Sequence, residues 1–295
     1  MTSQVQTGED LVVCRGLQKQ FPGFELNVSL RVPADTIVGL VGLNGSGKTT
    51  LFRLLTGLIR ADGGSAQVLE AEIDGLPVSR KEEIGVVMAD AGFPGMFTVK
   101  EVRKCLGAFY EAFDPGFFDE LVKRFGIPAG KKLDSFSTGM KARMKLIAAI
   151  SHHPRLLLLD EPTSGLDVSA RNEILDILRE YMETPGRAIM ISSHIASDLE
   201  HLCDSFSLIS RGQIVLEKDM DALRDEFGVL HIPASRVQDV NLEGVLCRRL
   251  EKDGSLSVLV SDRQYYADNY PWLVQERGSL DEALLMFQRP DGEFE

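Results

Sequence analysis

Residues 42–49 read Gly42-Leu43-Asn44-Gly45-Ser46-Gly47-Lys48-Thr49, a pattern of types and spacing that can hold a polyphosphate. In such a loop successive backbone N–H groups point into one concavity at the positive end of a helix dipole. Lys48 can reach the β- and γ-phosphates, and the Thr49 hydroxyl can ligand Mg²⁺. A pair of acids, Asp160-Glu161, ends the apolar run Leu156-Leu157-Leu158-Leu159. An acid at the end of a buried strand is well placed to hold Mg²⁺ through water opposite Thr49, which fits Asp160. Glu161, one residue on, can polarise an attacking water as general base. The stretch Ser135-Phe136-Ser137-Thr138-Gly139-Met140 precedes a helical pattern. It reads either as a plain N-cap or as a second phosphate-binding surface. The histidines offer no metal-ligand spacing, and His152-His153 before Pro154 reads as a loop pair.

These groups need strands and helices to hold them. Residues 36–41 are apolar throughout after Thr36, the mark of a strand covered on both faces, and residues 50–57 read as a helix stopped by Gly57. Residues 11–14, 26–32, 66–69 and 84–88 read as further strands, and the alternation over 26–32 marks a half-exposed one. From about 93 to 153 the character is helical. Thr98 and Glu101 form a capping box, Asp114-Pro115 opens a second helix that Gly126-Ile127-Pro128 closes, and a third covers 138–151. Strand and helix alternate again: 156–159 a strand, 168–182 an amphipathic helix, 188–191 a strand, 207–216 a hairpin. Beyond about residue 220 the texture changes. Residues 245–260 carry a hairpin signal at Lys252-Asp253-Gly254, and an amphipathic helix is expected over 279–288.

Length and charge set bounds. A chain of 295 residues accommodates one α/β domain of about 200–230 residues with a small appendage. A formal net charge of −12 argues against a nucleic-acid partner. No apolar run reaches the roughly 18–20 residues that span a bilayer, and the polar start at residues 1–6 has no signal core, so a cytoplasmic location is expected. Cys14, Cys105, Cys203 and Cys247 form no C-x-x-C pair and read as reduced structural thiols.

The segments at 42–49, 136–140, 156–161, 164–167 (Ser164-Gly165-Leu166-Asp167) and 192–194 (Ser192-Ser193-His194) occur in one fixed order. That order resembles the ATP-binding subunit of an ABC transporter, over about residues 10–218. The resemblance implies an α/β fold: a P-loop NTPase core of ABC ATPase type (10–218), a helical subdomain (about 93–153) and a small C-terminal α+β appendage (219–295). It implies ATP and Mg²⁺ as ligands, bound by the Walker A residues Gly42 to Thr49 with Thr50. Ser137 and Gly139 match the signature loop in the Ser-Thr-Gly-Met form, similar to exporters with separately encoded permeases. Asp167 matches the D-loop at the dimer seam, and His194 the switch histidine at the γ-phosphate. Phe21 matches the aromatic that stacks on adenine, with Phe24 close enough to serve instead.

One position departs from the family. After the strand at 84–88 the family carries a glutamine that touches Mg²⁺ and relays the nucleotide state to the membrane subunit. This chain has Met88-Ala89-Asp90. Either Asp90 substitutes as a metal contact, or that contact is lost. The expected partners are an integral-membrane permease and a second ATPase subunit, as a homodimer with a heterodimer open, the chain lying on the inner face of the membrane through the permease. The resemblance places the docking region in the helical part near 93–135, where Phe93, Pro94, Met96 and Phe97 form an apolar cluster in a turn-rich segment. The alternative is a non-transport ABC ATPase acting as a soluble regulatory or translation- or DNA-associated factor. Such factors usually carry two ATPase halves or long coiled-coil inserts, and neither is present.

Overall fold

In the computed structural model, residues 9–287 are described; residue 288 of the expected last helix lies outside them. The chain opens with β1 (Asp10–Phe21) and β2 (Phe24–Pro33), an antiparallel hairpin closed by Pro22-Gly23 with Gly23 at φ 79°. Proline then glycine in the left-handed region is the requirement of a type II turn. Next come β3 (Ile37–Val41) and α1 (Lys48–Leu55), ended by Gly57 at φ 70° as expected. β4 (Gly63–Val68) returns to pair with β1, and β5 (Ala71–Glu72) pairs with β4. A short α2 (Val78–Lys81) leads into β6 (Ile84–Val87).

The helical region comprises α3 (Val99–Phe109), α4 (Pro115–Arg124) and α5 (Thr138–Ile150). Their starts follow the sequence. Thr98 and Glu101 form the capping box of α3. Asp114 accepts from the amides of Gly116 and Phe117 ahead of Pro115, and Ser137 accepts from the Met140 amide. Then follow β7 (Leu156–Asp160), α6 (Val168–Met182), β8 (Ala188–Ser193), α7 (Ala196–Glu200), and the hairpin β9 (Ser205–Ser210) with β10 (Gln213–Asp219). The tail supplies α8 (Met220–Asp225), β11 (Gly228–Ile232), β12 (Cys247–Leu250), β13 (Leu256–Val260), α9 (Arg263–Asn269), β14 (Val274–Arg277) and α10 (Leu280–Phe287).

The strands form three sheets among the described residues. The central one has the order β10-β9-β3-β8-β7-β6, parallel except for the β9–β10 edge. β3, β7 and β8 are buried along their whole length. Alternate residues feed two cores: Leu157 and Leu159 of β7 join the helical side, while Leu156 and Leu158 join the side formed by α1 and the β2-β1-β4-β5 sheet. A strand covered on both faces must be apolar at every position, hence the unbroken Leu run.

The tail sheet, β12-β13-β11-β14, divides in the same way. Val258 and Val260 pack with Leu230 and Tyr266 in a small cluster, while Leu259 and Cys247 face the large core. Leu280, Ala283, Leu284, Met286 and Phe287 of α10 are buried in that large core. No helix among the described residues is long and apolar enough to cross a membrane. The His152-His153 pair is in a turn, as expected, but His152 is buried and stacks on Tyr110 with ring centroids 4.0 Å apart. Burial, despite its bond to the Ile84 carbonyl, lowers its pKa to about 4.

Candidate active site

The carboxyl ends of parallel strands are where open α/β sheets bind ligands. Here β3, β7 and β8 are adjacent, and their register sets Val41 beside Ser193 and Asp160 beside Ser192. The loop after β3 therefore opens next to the acids that end β7 and the histidine that follows β8.

The phosphate loop takes the backbone shape its glycines permit. Gly45 and Gly47 sit at φ 80° and 115°. A Cβ on Gly42 would lie 2.6 Å from the Ile209 carbonyl, so the chain passes too close for a side chain. Gly47 lies directly before α1, whose first turn holds no acid to compete with an anion. Leu43, Asn44 and Gly45 are exposed, Ser46, Gly47 and Lys48 buried, and Thr49 and Thr50 half-buried.

Polar contacts link loop, acids and histidine into one network. Lys48 Nζ donates to the Gly42 carbonyl at 2.6 Å and lies 3.3 Å from Glu161 Oε1. Glu161 Oε2 accepts from His194 Nδ1 at 2.6 Å and from the His194 amide at 3.3 Å. Glu161 Oε1 is buried and, among the described residues, has only the ion pair with Lys48 and no hydrogen bond. Asp160, fully buried, accepts from Thr49 Oγ1 and from Ser192 Oγ, each at 2.7 Å. Ser192 Oγ in turn accepts from the Glu161 amide at 2.9 Å. Glu161 leaves the strand at φ 51°, in the left-handed region that an L-residue seldom takes, which turns its carboxylate away from the line of β7.

The other expected residues lie as follows. Phe21 is 43% exposed at the hairpin tip, 6.4 Å from the Phe24 ring. Phe24 sits beneath the loop, its Cζ 3.1 Å from where a Gly47 Cβ would be. Asp90 is paired with Arg53 rather than with Thr49 or Asp160. Ser137 is exposed and Gly139 half-buried at the start of α5. Asp167 caps α6 by accepting from the Ala170 amide at 2.9 Å.

Sequence reasoning missed several members. Ser192 was visible only as a letter in Ser192-Ser193-His194. Thr163 Oγ1 donates to Asp198 of α7 at 2.8 Å, with Arg171 3.5 Å from the same carboxylate, tying the segment after Glu161 to the helix after His194. Glu200, at the end of α7, accepts from the Leu280 amide of α10 at 2.6 Å. Leu284 and Phe287 help line a pocket of about 220 Å³ with residues 43–46 of the phosphate loop. The tail thus reaches the outer side of that loop.

The ABC transporter family profile matches residues 26–164. The ABC transporter ATP-binding protein YtrB of Bacillus subtilis is 32% identical over 79% of this chain and 79% of its own. The lantibiotic transport ATP-binding protein SrtF of Streptococcus pyogenes is 34% identical over 66% of this chain and 84% of its own. The daunorubicin/doxorubicin resistance ATP-binding protein DrrA of Streptomyces peucetius is 29% identical over 84% and 80%. Among solved structures, an ATP-binding subunit of an ABC transporter superposes with a TM-score of 0.66 at 23% identity, over 72% of this chain and 92% of that one. A dimeric ATP-binding cassette holding ADP and phosphate gives 0.63 at 19%, over 71% and 98%. The fold, the gathering of Lys48, Asp160, Glu161 and His194 at the strand ends, and these relatives agree: the chain belongs to the ABC transporter family as an ATP-binding subunit whose reaction is ATP hydrolysis.

Proposed function

We propose that this chain is the ATPase of an exporter, working as a homodimer on the cytoplasmic face of a membrane against a separately encoded permease. The observation that carries the reading is the bridge Lys48–Glu161–His194, which holds a carboxylate between the phosphate loop and the switch histidine. Relatives named for lantibiotic transport and for drug resistance support export. Residues 10–218 form the ATPase unit in this reading, and 219–295 an accessory unit that leans on it.

The site works by positioning and charge. Backbone amides of residues 43–49 and Lys48 cradle the phosphates, and Thr50 continues the cradle into α1. Phe21, the exposed ring of its pair, stacks on adenine. Thr49 and Asp160 fit Mg²⁺: their oxygens are the hard donors that ion takes, and the wholly buried Asp160 already accepts from two hydroxyls. Bound there, Mg²⁺ supplies positive charge against the phosphates. Asp90 reaches the site only by leaving Arg53. Glu161 Oε1 takes a proton from the attacking water, and His194, oriented through Nδ1, presents Nε2 to the γ-phosphate. Ser137 and Gly139, at the N-terminus of α5 with the Ser137 hydroxyl accepting only its own cap bond, meet the phosphate bound to the opposite subunit.

The permease docks on an apolar groove of about 630 Å³ between the end of β6 and α3, lined by Val78, Val86, Phe93, Cys105 and Phe109. Phe109 is 77% exposed there, a poor place for a phenyl ring unless something covers it. The test is co-purification with a polytopic membrane protein encoded beside the chain. Loss of the complex on Phe109→Asp, with ATP binding intact, supports the reading; a complex that survives the substitution, or partners that are all soluble, rejects it.

A further inference from the structure

Lys145 lies two turns into α5, on the helix that begins with Ser137. Its neighbours Met144, Leu146 and Ile147 are buried in the core, yet its half-buried side chain runs the other way. Lys145 Nζ donates to the carbonyl of Met88 at 3.0 Å and to that of Ala89 at 3.3 Å. These are the first two residues after β6. The register pairs Val87 with Leu159, so the peptide that Lys145 grips lies alongside the one that carries Asp160. Gly92 closes over the same side chain; a Cβ there would be 3.2 Å from Lys145 Cε.

Residues 89–93 are held otherwise by the packing of Phe93 on the large core. Among the described residues, the hydrogen bonds that tie this segment to the rest of the protein come from Lys145 and from Arg53, which pairs with Asp90. Burial lowers the Lys145 pKa, and the carboxylates of Asp90 and Asp160 oppose that by favouring its charged form. The two carbonyls take two of the three ammonium protons and fix where the side chain ends.

We propose that Lys145 is a positioning residue for ATP hydrolysis, clamping the peptide at 88–89 to α5 and so fixing the end of β6 beside Asp160. It touches neither phosphate nor water and acts through the backbone. Because α5 also carries Ser137 and Gly139, the clamp makes the signature end of the helix and the Asp160 end of the sheet move together. The proposal rests on Asp160 belonging to the ATP site.

The test compares the full chain with Lys145→Met, which keeps the length and removes the donor, and Lys145→Arg, which keeps donor and charge. Three quantities are read: ATP affinity, turnover, and amide exchange at 89–93 in nucleotide-free protein. Lys145→Met is expected to hold ATP affinity within about twofold, to lower turnover about tenfold or more, and to speed exchange at 89–93 while α1 and β7 stay protected. Lys145→Arg is expected to recover most of both effects. Unchanged exchange in Lys145→Met overturns the clamp without reference to catalysis. Faster exchange with parental turnover overturns its link to hydrolysis, and so does a Lys145→Arg protein as slow as Lys145→Met. A parent protein that fails to hydrolyse ATP counts against the site assignment itself.

Discussion

His194 donates its Nδ1–H to Glu161 Oε2 across 2.6 Å. A carboxylate can only accept, so the contact fixes which ring nitrogen carries the proton and leaves Nε2 pointing outward. The same carboxylate presents its other oxygen to Lys48 at 3.3 Å. One side chain therefore sets the orientation of the groups on either side of it.

Glu161→Gln separates binding from chemistry. The amide cannot take a proton from water, while the phosphate loop and Lys48 remain. ATP affinity is expected to persist and phosphate release to fall about 100-fold or more. Turnover near the parent value would remove Glu161 from the role of base.

Ser192→Ala tests a hydroxyl that sequence reading passed over. It donates to buried Asp160 and accepts from the Glu161 amide, so its loss leaves two buried groups short of a partner. Stability is expected to drop by about 1–3 kcal/mol in urea unfolding, with a fall in turnover larger than the fall in ATP affinity. A silent substitution would mean that Asp160 is held by Thr49 alone.

Dimer closure should be visible in the Glu161→Gln protein, which holds ATP without consuming it. Light scattering is expected to show mass doubling with ATP and none without. Ser137→Arg, at an exposed position outside the phosphate loop, should block the doubling while ATP still binds. Persistent monomer in the Glu161→Gln protein would point to an unlike partner subunit.

His152 makes stability depend on pH. Its pKa falls from the ordinary 6.5 to about 4 in the fold. Between those values the unfolded chain binds a proton that the folded chain does not, so stability falls as pH drops from 6.5 towards 4. The loss approaches about 3 kcal/mol below pH 4. His152→Gln is expected to flatten the slope of urea midpoint against pH over that window. An equal slope in the variant would exclude His152 as its source.

A chain stopped after Gly278 loses α10 and with it the buried Leu280, Leu284, Met286 and Phe287. At about 1.5–3 kcal/mol per buried side chain, thermal unfolding is expected to fall by more than about 10 °C. ATP affinity, set by Lys48 and its loop, is expected to survive at low temperature. An unchanged midpoint would mean that α10 is not part of the core.

Several structural features could be read in advance because they are local. The helix α6 begins and ends at the expected Val168 and Met182, since its apolar spacing and the Asp167 cap act within a few residues. The capping box at Thr98 is equally local. Elsewhere reading stopped short. β1 runs to Phe21 where only 11–14 was expected, because a register shift between Cys14 and Leu17 interrupts the alternation that marks a strand. In the tail, β11, β14 and α9 were not foreseen: β11 divides Val229 from Leu230 and Ile232 between two cores, β14 carries only the exposed Val274, and α9 buries only Tyr266, so none shows a period.

The sequence by itself determined the chemistry: a phosphate loop, an acid pair ending an apolar run, and a histidine in fixed order, because residue type and short-range spacing decide what a group can do. Tertiary structure alone decided how those groups meet. Register between β7 and β8 puts Ser192 against Asp160, the left-handed turn at Glu161 aims its carboxylate between Lys48 and His194, and packing brings Lys145 to residues 88–89 and α10 to the phosphate loop. Those contacts join residues separated by tens to hundreds of positions. They depend on which strands pair and which helices pack, which the chain settles only when it buries its apolar surface as a whole.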